Sequence, residues 1–154
     1  MRVLFVCTGN TCRSAMAEVI ARNAASRRPE LAITFASAGT SAWDGAPASD
    51  GALLVGLERH CDLTAHRARS LSRDMVSEAD IILGMGQHHV ERAAVLGGAG
   101  KSHLLADFAA RSPSGHSVAD PFGGDLELYR STADDLERLV ELVLTRLAEA
   151  GGTR

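Results

Sequence analysis

The chain has 154 residues, room for one hydrophobic core and too few for two comfortable domains, so a single domain spanning 1–154 is expected. Hydrophobic residues make up 45% and charged residues 23%, with a net charge of -3; nothing global draws the protein to nucleic acid or to an anionic membrane. No run approaches the roughly 20 apolar residues of a membrane span, and the first apolar run, 3–6, is too short for a leader core. A cytoplasmic protein with no nucleic-acid or membrane partner is the expectation. Three cysteines, two of them close together, make a poor disulfide framework and a plausible reactive site.

Residues 2–6 are β-branched and aromatic, the pattern of a buried strand. Small, turn-prone residues 7–11 break it. A helical pattern follows over 13–27, with Met16, Val19, Ile20 and Ala24 on one face and Pro29 beyond its end. Residues 31–36 predict a second strand and 37–47 a turn-rich segment. Leu53, Leu54 and Leu57 give 50–60 a helical spacing. Residues 72–79 predict a short helix with Ser72 as N-cap. A third strand is expected at 80–85, a helix at 87–96 closed by Gly97 and Gly98, and a fourth strand at 102–106. Residues 108–124 are a long Gly-, Ser- and Pro-rich loop, a length that usually marks function. Residues 125–150 form a helix or helix pair with an apolar face from Leu128 to Leu147. Alternating strands and helices argue an α/β fold: a small doubly wound sheet of four parallel strands with helices on both faces. Ligands in such folds bind beyond the carboxyl ends of the strands, where the loop after strand one lies.

That loop is Cys7-Thr8-Gly9-Asn10-Thr11-Cys12-Arg13-Ser14. Five residues separate Cys7 from Arg13, enough to wrap the chain once around a tetrahedral oxyanion. Backbone N–H groups of a curved loop then point inward, and the following helix adds its positive end. Gly9 allows close backbone approach, and Asn10 tolerates left-handed geometry. Arg13 can fork onto two phosphate oxygens. A cysteine at a helix N-terminus beside an arginine is a reactive thiolate, with Ser14 placed to donate to it. Cys7 is therefore the candidate nucleophile and Arg13 the group that stabilises charge. The loop lacks the Gly-Lys-Ser/Thr ending of a Walker loop and the three glycines of a dinucleotide turn.

The run 6–14 resembles the phosphate loop of the low-molecular-weight protein tyrosine phosphatase family. The resemblance extends over nearly the whole chain, through Ser37-Ala38-Gly39-Thr40, His66 before Arg67, and Asp120-Pro121. It implies no metal and no organic cofactor. It makes residues 8–14 the phosphate-binding loop, with Asn10, Ser14, Ser37 and His66 a supporting polar network. Asp120 is implied as general acid and then general base, since one carboxyl can protonate a leaving group and later activate water. Cys12 is implied as a redox partner that protects Cys7 by a reversible disulfide. The neighbouring His88-His89 has no further ligands at regular spacing and is read as helix surface rather than metal site.

Thr11 replaces the bulky aliphatic residue usual in the family's tyrosine phosphatases, and Phe122-Gly123-Gly124 replaces their tyrosine. Both changes are similar to the protein arginine phosphatase branch, so protein phosphoarginine is the expected substrate. A hydroxyl at position 11 suits a polar guanidinium, and Phe122 can stack on either a guanidinium or a phenyl ring. Trp43, which resembles the aromatic wall of tyrosine phosphatases, supports the phosphotyrosine alternative. Three further classes remain as rivals. An arsenate reductase needs resolving cysteines that 80–96 lacks. A cysteine phospho-carrier does not need both Arg13 and Asp120. A non-catalytic binding module would not need Cys7, Arg13 and Asp120 together. The expected partners are phosphorylated protein substrates, and the expected state is a monomer.

Overall fold

Residues 2–7 send Val3, Phe5 and Cys7 to one side and Leu4 and Val6 to the other, and all five side chains are buried. A strand buried on both faces needs cover on both, which is the condition of a parallel sheet between helices. The computed structural model, which describes residues 1–152, meets that condition. In chain order it holds β1 (Arg2–Cys7), α1 (Arg13–Ala25), β2 (Thr34–Gly39), α2 (Asp50–Glu58) and α3 (Arg73–Glu78). These are followed by β3 (Ile81–Gly84), α4 (Gln87–Ala93), β4 (Ser102–Leu104), α5 (Leu105–Ala110) and α6 (Leu126–Gly152). The four strands are all parallel in the order β2-β1-β3-β4.

Val3, Phe5 and Cys7 pack with buried residues of α1, α5 and α6, including Met16, Ala21, Leu105, Leu136 and Leu144. Leu4 and Val6 pack with Val76 of α3, Ala79 and Ala93 of α4 on the other face. Phe5 stacks on Phe35 of β2 with centroids 6.1 Å apart. Burying a side chain of that size contributes roughly 2–3 kcal/mol, so the central strand is anchored from both sides. Among the described residues no helix is long and apolar enough to cross a membrane.

The fold class matches the sequence reading, and the differences have local causes. The second strand is Thr34–Gly39 rather than 31–36, because its register runs from Arg2↔Thr34 to Cys7↔Gly39. Residues 28–33 are spent on turns, with Leu31 N–H bonded to Arg28 C=O at 2.9 Å. On α2, Leu54 and Leu57 are exposed while Ala52, Val55 and Gly56 face inward. Small residues are required there: a Cβ on Gly51 would lie 2.5 Å from the Tyr129 ring of α6. The fourth strand ends at Leu104, and α5 takes up 105–110 because Leu105, Phe108 and Ala109 recur at helical spacing and are buried. The long loop is therefore shorter than expected. The last segment is one helix and not a pair.

Candidate active site

Cys7 ends β1, and its neighbours on either side are β2 and β3. The chain crosses from β1 to β2 on one side and reaches β3 on the other, so a crevice opens at the carboxyl end of β1. Residues 8–12 fill that crevice before Arg13 opens α1. The turn after β2 holds them: Thr40 N–H donates to Cys7 C=O and Ser41 N–H to Thr8 C=O, both at 2.9 Å. Gly39 makes this approach possible, since a Cβ there would stand 2.4 Å from the Thr8 carbonyl oxygen.

Asn10 sits at the tightest point of the curve, fully buried, with φ of 57°. Such a conformation is tolerated by asparagine when its side chain is fixed locally. Its Nδ2 donates to Ser14 Oγ at 2.8 Å, and its Oδ1 accepts from Arg69 N–H at 2.9 Å. Its carbonyl accepts from His66 Nε2 at 2.6 Å, which fixes the proton of His66 on that nitrogen. Ser14 Oγ lies 2.9 Å from Cys7 Sγ. Asn10 occupies a lone pair of Ser14, whose one proton has two acceptors in reach, Cys7 Sγ at 2.9 Å and the Ala38 carbonyl at 3.4 Å, the sulfur being the nearer. Asn10 N–H also points at Cys7 Sγ, at 3.3 Å. Two donors thus converge on one buried sulfur. Among the described residues the N–H groups of Gly9, Thr11, Cys12 and Arg13 meet no acceptor, and these residues line the same cleft as Cys7.

Arg13 is buried with its guanidinium turned toward the crevice. Nη1 donates to Val118 C=O at 3.2 Å, and Nη2 lies 3.6 Å from Asp120 Oδ2. Val118 is itself held by its N–H on Met85 C=O at 3.0 Å. Asp120 Oδ1 accepts from Phe122 N–H at 3.1 Å, so one carboxylate oxygen is tied to its own loop while the other faces Arg13. Cys7, Thr8, Gly9, Thr11, Cys12, Arg13, Asp120 and Phe122 line a cleft of about 210 Å³. A larger hollow of about 420 Å³ near Cys61 and Glu137 lies away from these groups; burial pushes the Cys61 thiol up, toward the unreactive form.

The structure thus brings together Cys7, the loop 8–14, Asp120 and Phe122, with His66 behind the loop. It does not bring Ser37 to the loop: Ser37 Oγ donates to Glu18 Oε1 at 2.5 Å, and Glu18 pairs with Arg22 at 2.6 Å. Only the carbonyl of the next residue, Ala38, reaches toward Ser14 Oγ, at 3.4 Å. Nor does it bring Trp43 to the cleft; that ring is 84% exposed and absent from the lining. Cys12 Sγ is bonded to Ser49 Oγ at 3.1 Å and Tyr129 OH at 3.4 Å. Burial pushes the Tyr129 phenol up to about 12, so it stays a donor.

The reading of His88-His89 as helix surface holds for His88 and fails for His89, which is fully buried. His89 Nε2 lies 2.9 Å from Thr8 Oγ1, and burial pushes its imidazole down to about 4. The recurrence of Met85, His89 and Ala93 every four residues is the sequence signal that could have shown it facing inward.

A nucleophilic cysteine and an arginine at the two ends of one N–H-lined loop, with a carboxyl group across the cleft, define a cysteine-dependent phosphatase. The family model for low molecular weight phosphotyrosine protein phosphatase matches residues 2–152, and the chain belongs to that family. It is 38% identical to a protein-arginine-phosphatase of Geobacillus stearothermophilus, covering 96% of this chain and 94% of that one. It is 33% identical to a low molecular weight protein-tyrosine-phosphatase, PtpB, of Staphylococcus haemolyticus, over 91% of this chain and 95% of the relative. Among solved structures, the YwlE arginine phosphatase carrying a C7S substitution and a phosphorylated active-site serine superposes with a TM-score of 0.90. The two chains are 33% identical, with 96% of each covered.

Proposed function

We propose that this protein phosphatase hydrolyses protein phosphoarginine through a phosphocysteine on Cys7. The observation that carries the mechanism is the convergence of Ser14 Oγ and Asn10 N–H on Cys7 Sγ, in a cleft lined by loop residues whose N–H groups are unbonded and by Arg13. The thiolate attacks phosphorus as the P–N bond breaks, and the Asp120 carboxyl gives a proton to the leaving guanidine nitrogen. Asp120 then takes a proton from water, whose oxygen attacks phosphorus, and the S–P bond breaks to release phosphate. Arg13 and the loop N–H groups carry the phosphoryl charge in both steps. All of this takes place within one domain, and nothing in it requires a second copy of the chain.

The choice of phosphoarginine rests on the cleft wall. Thr11 gives that wall a hydroxyl, and Trp43, the residue that favoured an aromatic substrate, stands outside it. The likeness to relatives named as arginine phosphatases supports the same choice. Phosphotyrosine is the second reading: the Phe122 ring, which lines the cleft and is 72% exposed, can stack on a phenyl ring as well as on a guanidinium. Steady-state hydrolysis of phosphoarginine and phosphotyrosine peptides by wild type and Thr11→Ile separates them. Wild type should prefer phosphoarginine, and the variant should shift toward phosphotyrosine. A wild-type preference for phosphotyrosine would overturn the substrate and leave the Cys7 chemistry standing.

Cys12 is read as the partner that captures oxidised Cys7 in a disulfide. All three cysteines are free in the structure, which suits a reducing, cytoplasmic setting. To pair with Cys7, Cys12 must leave Ser49 and Tyr129. After peroxide treatment and thiol reduction, wild type should regain activity and Cys12→Ser should not; equal recovery by both would sink the idea.

A further inference from the structure

His89 is a buried titratable side chain that the mechanism above does not use. It comes from α4, behind β3, and reaches the phosphate loop from the side opposite His66. Gly86 N–H donates to His89 Nδ1 at 3.0 Å. A nitrogen that accepts an N–H carries no proton, so in the neutral ring the proton sits on Nε2. Nε2 lies 2.9 Å from Thr8 Oγ1 and must therefore be the donor in that bond. One lone pair of the Thr8 hydroxyl is occupied, and its own proton is left to point elsewhere. Thr8 lines the cleft beside Cys7 and Arg13.

We infer that His89 is a positioning residue that sets the Thr8 hydroxyl as a hydrogen-bond donor to the phosphoryl group above Cys7. Without the imidazole, the hydroxyl could turn its lone pairs to the cleft and meet phosphoryl oxygens with the wrong sign. The neutral ring is favoured by its surroundings. Burial acts first; His88 from the same helix lies against it with centroids 3.8 Å apart and planes tilted by 43°, and Arg13 from α1 adds positive charge, while Asp120 opposes them from the loop. A second proton on the ring would also break the Gly86 bond. The inference rests on the phosphatase reading but not on which phosphorylated side chain is the substrate.

The test is a double-mutant cycle read by inorganic phosphate affinity, using calorimetry, and by kcat/KM on a simple aryl phosphate. Thr8→Val should weaken both by about tenfold, the worth of a hydrogen bond to a charged group, whereas Thr8→Ser should stay within about threefold of wild type. His89→Phe should match Thr8→Val in the wild-type background and cost less than about twofold on top of it. Equal losses from His89→Phe in both backgrounds would make it merely structural and overturn the inference. So would unchanged phosphate affinity in Thr8→Val. If His89→Phe does not fold, nitrogen NMR of the wild-type ring decides: protonated Nε2 near neutral pH is expected, and protonated Nδ1 overturns it. If the phosphate-affinity cycle holds while no phosphorylated substrate turns over, the failure belongs to the hydrolase reading and not to His89.

Discussion

The phosphate loop and the segment that carries Asp120 face each other across one cleft and are built in opposite ways. In the loop, Asn10 and Ser14 are fully buried and each polar side-chain atom has a fixed partner. The 111–125 segment is mostly exposed, and its ties to the rest of the chain include the Arg111–Glu149 and His116–Asp135 pairs to α6. Val118 N–H meets Met85, the Val118 carbonyl meets Arg13, the Ala119 carbonyl accepts from Thr132 Oγ1 at 3.4 Å, and Asp107 gathers Ser114 and Gly115. The Asp120 side chain is 53% exposed. The contrast follows from what each part must do. A cradle for developing negative charge gains from donors that need no rearrangement as the reaction proceeds. A carboxyl that serves first the leaving group and then water needs reach instead.

Activity gives the largest test of that contrast. Cys7→Ser should lower kcat/KM by on the order of 10⁴-fold or more, since it removes the group that bonds to phosphorus. Asp120→Asn should cost about 10²- to 10⁴-fold while sparing phosphate affinity, because an amide keeps the Phe122 bond but has no proton to exchange. If Asp120→Asn weakened phosphate binding as much as it slowed turnover, the carboxyl would belong to the cradle.

Acid sensitivity is next in size. His89 is held down to about 4 against an ordinary 6.5, mainly by burial. The unfolded chain therefore binds more protons between those values, and stability must fall as pH drops from 6.5 toward 4. The loss from this group should approach about 3 kcal/mol, and His103, also lowered by burial, adds in the same direction. Denaturant titrations at neutral and acidic pH check this, with His89→Gln expected to flatten the slope.

Asn10→Ala should destabilise by about 2–3 kcal/mol, since it strands buried partners at Ser14 and Arg69. Asp120→Asn should move stability by no more than about 0.5 kcal/mol, as an exposed loop position does. Comparable losses from both would erase the difference between the regions. The smallest structural effect is expected from Phe122→Ala: stability within about 0.5 kcal/mol of wild type, with KM for a phosphopeptide raised and kcat retained.

The same two regions explain how much of the molecule was legible in the sequence. The loop is eight consecutive residues, so Cys7, Asn10, Arg13 and Ser14 announce their chemistry by spacing alone. Asp120 had no such pattern and was assigned only through resemblance. What escaped depends on contacts that the sheet order creates. His89 meets Thr8 across 81 residues, and the Val118 carbonyl meets Arg13 across 105. Nothing local in either segment points to its partner until β3 is known to lie beside β1. Ser37 and Trp43 show the reverse failure. Both sit near the loop in the chain trace, but Ser37 turns to Glu18 and Trp43 to solvent. On α2 the large residues suggested a face that the close approach of Tyr129 to Gly51 assigns to small ones.

The central claim is that phosphate passes through Cys7 on its way to water. Rapid-quench single turnover on a phosphorylated peptide, followed by mass analysis of the acid-trapped protein, tests it directly. The account predicts a phosphate on Cys7 that forms within the first turnover and decays into inorganic phosphate, and that accumulates when Asp120→Asn is supplied with a good leaving group. Release of inorganic phosphate with Cys7 never modified would contradict it, and so would a phosphocysteine that passes to another acceptor but not to water.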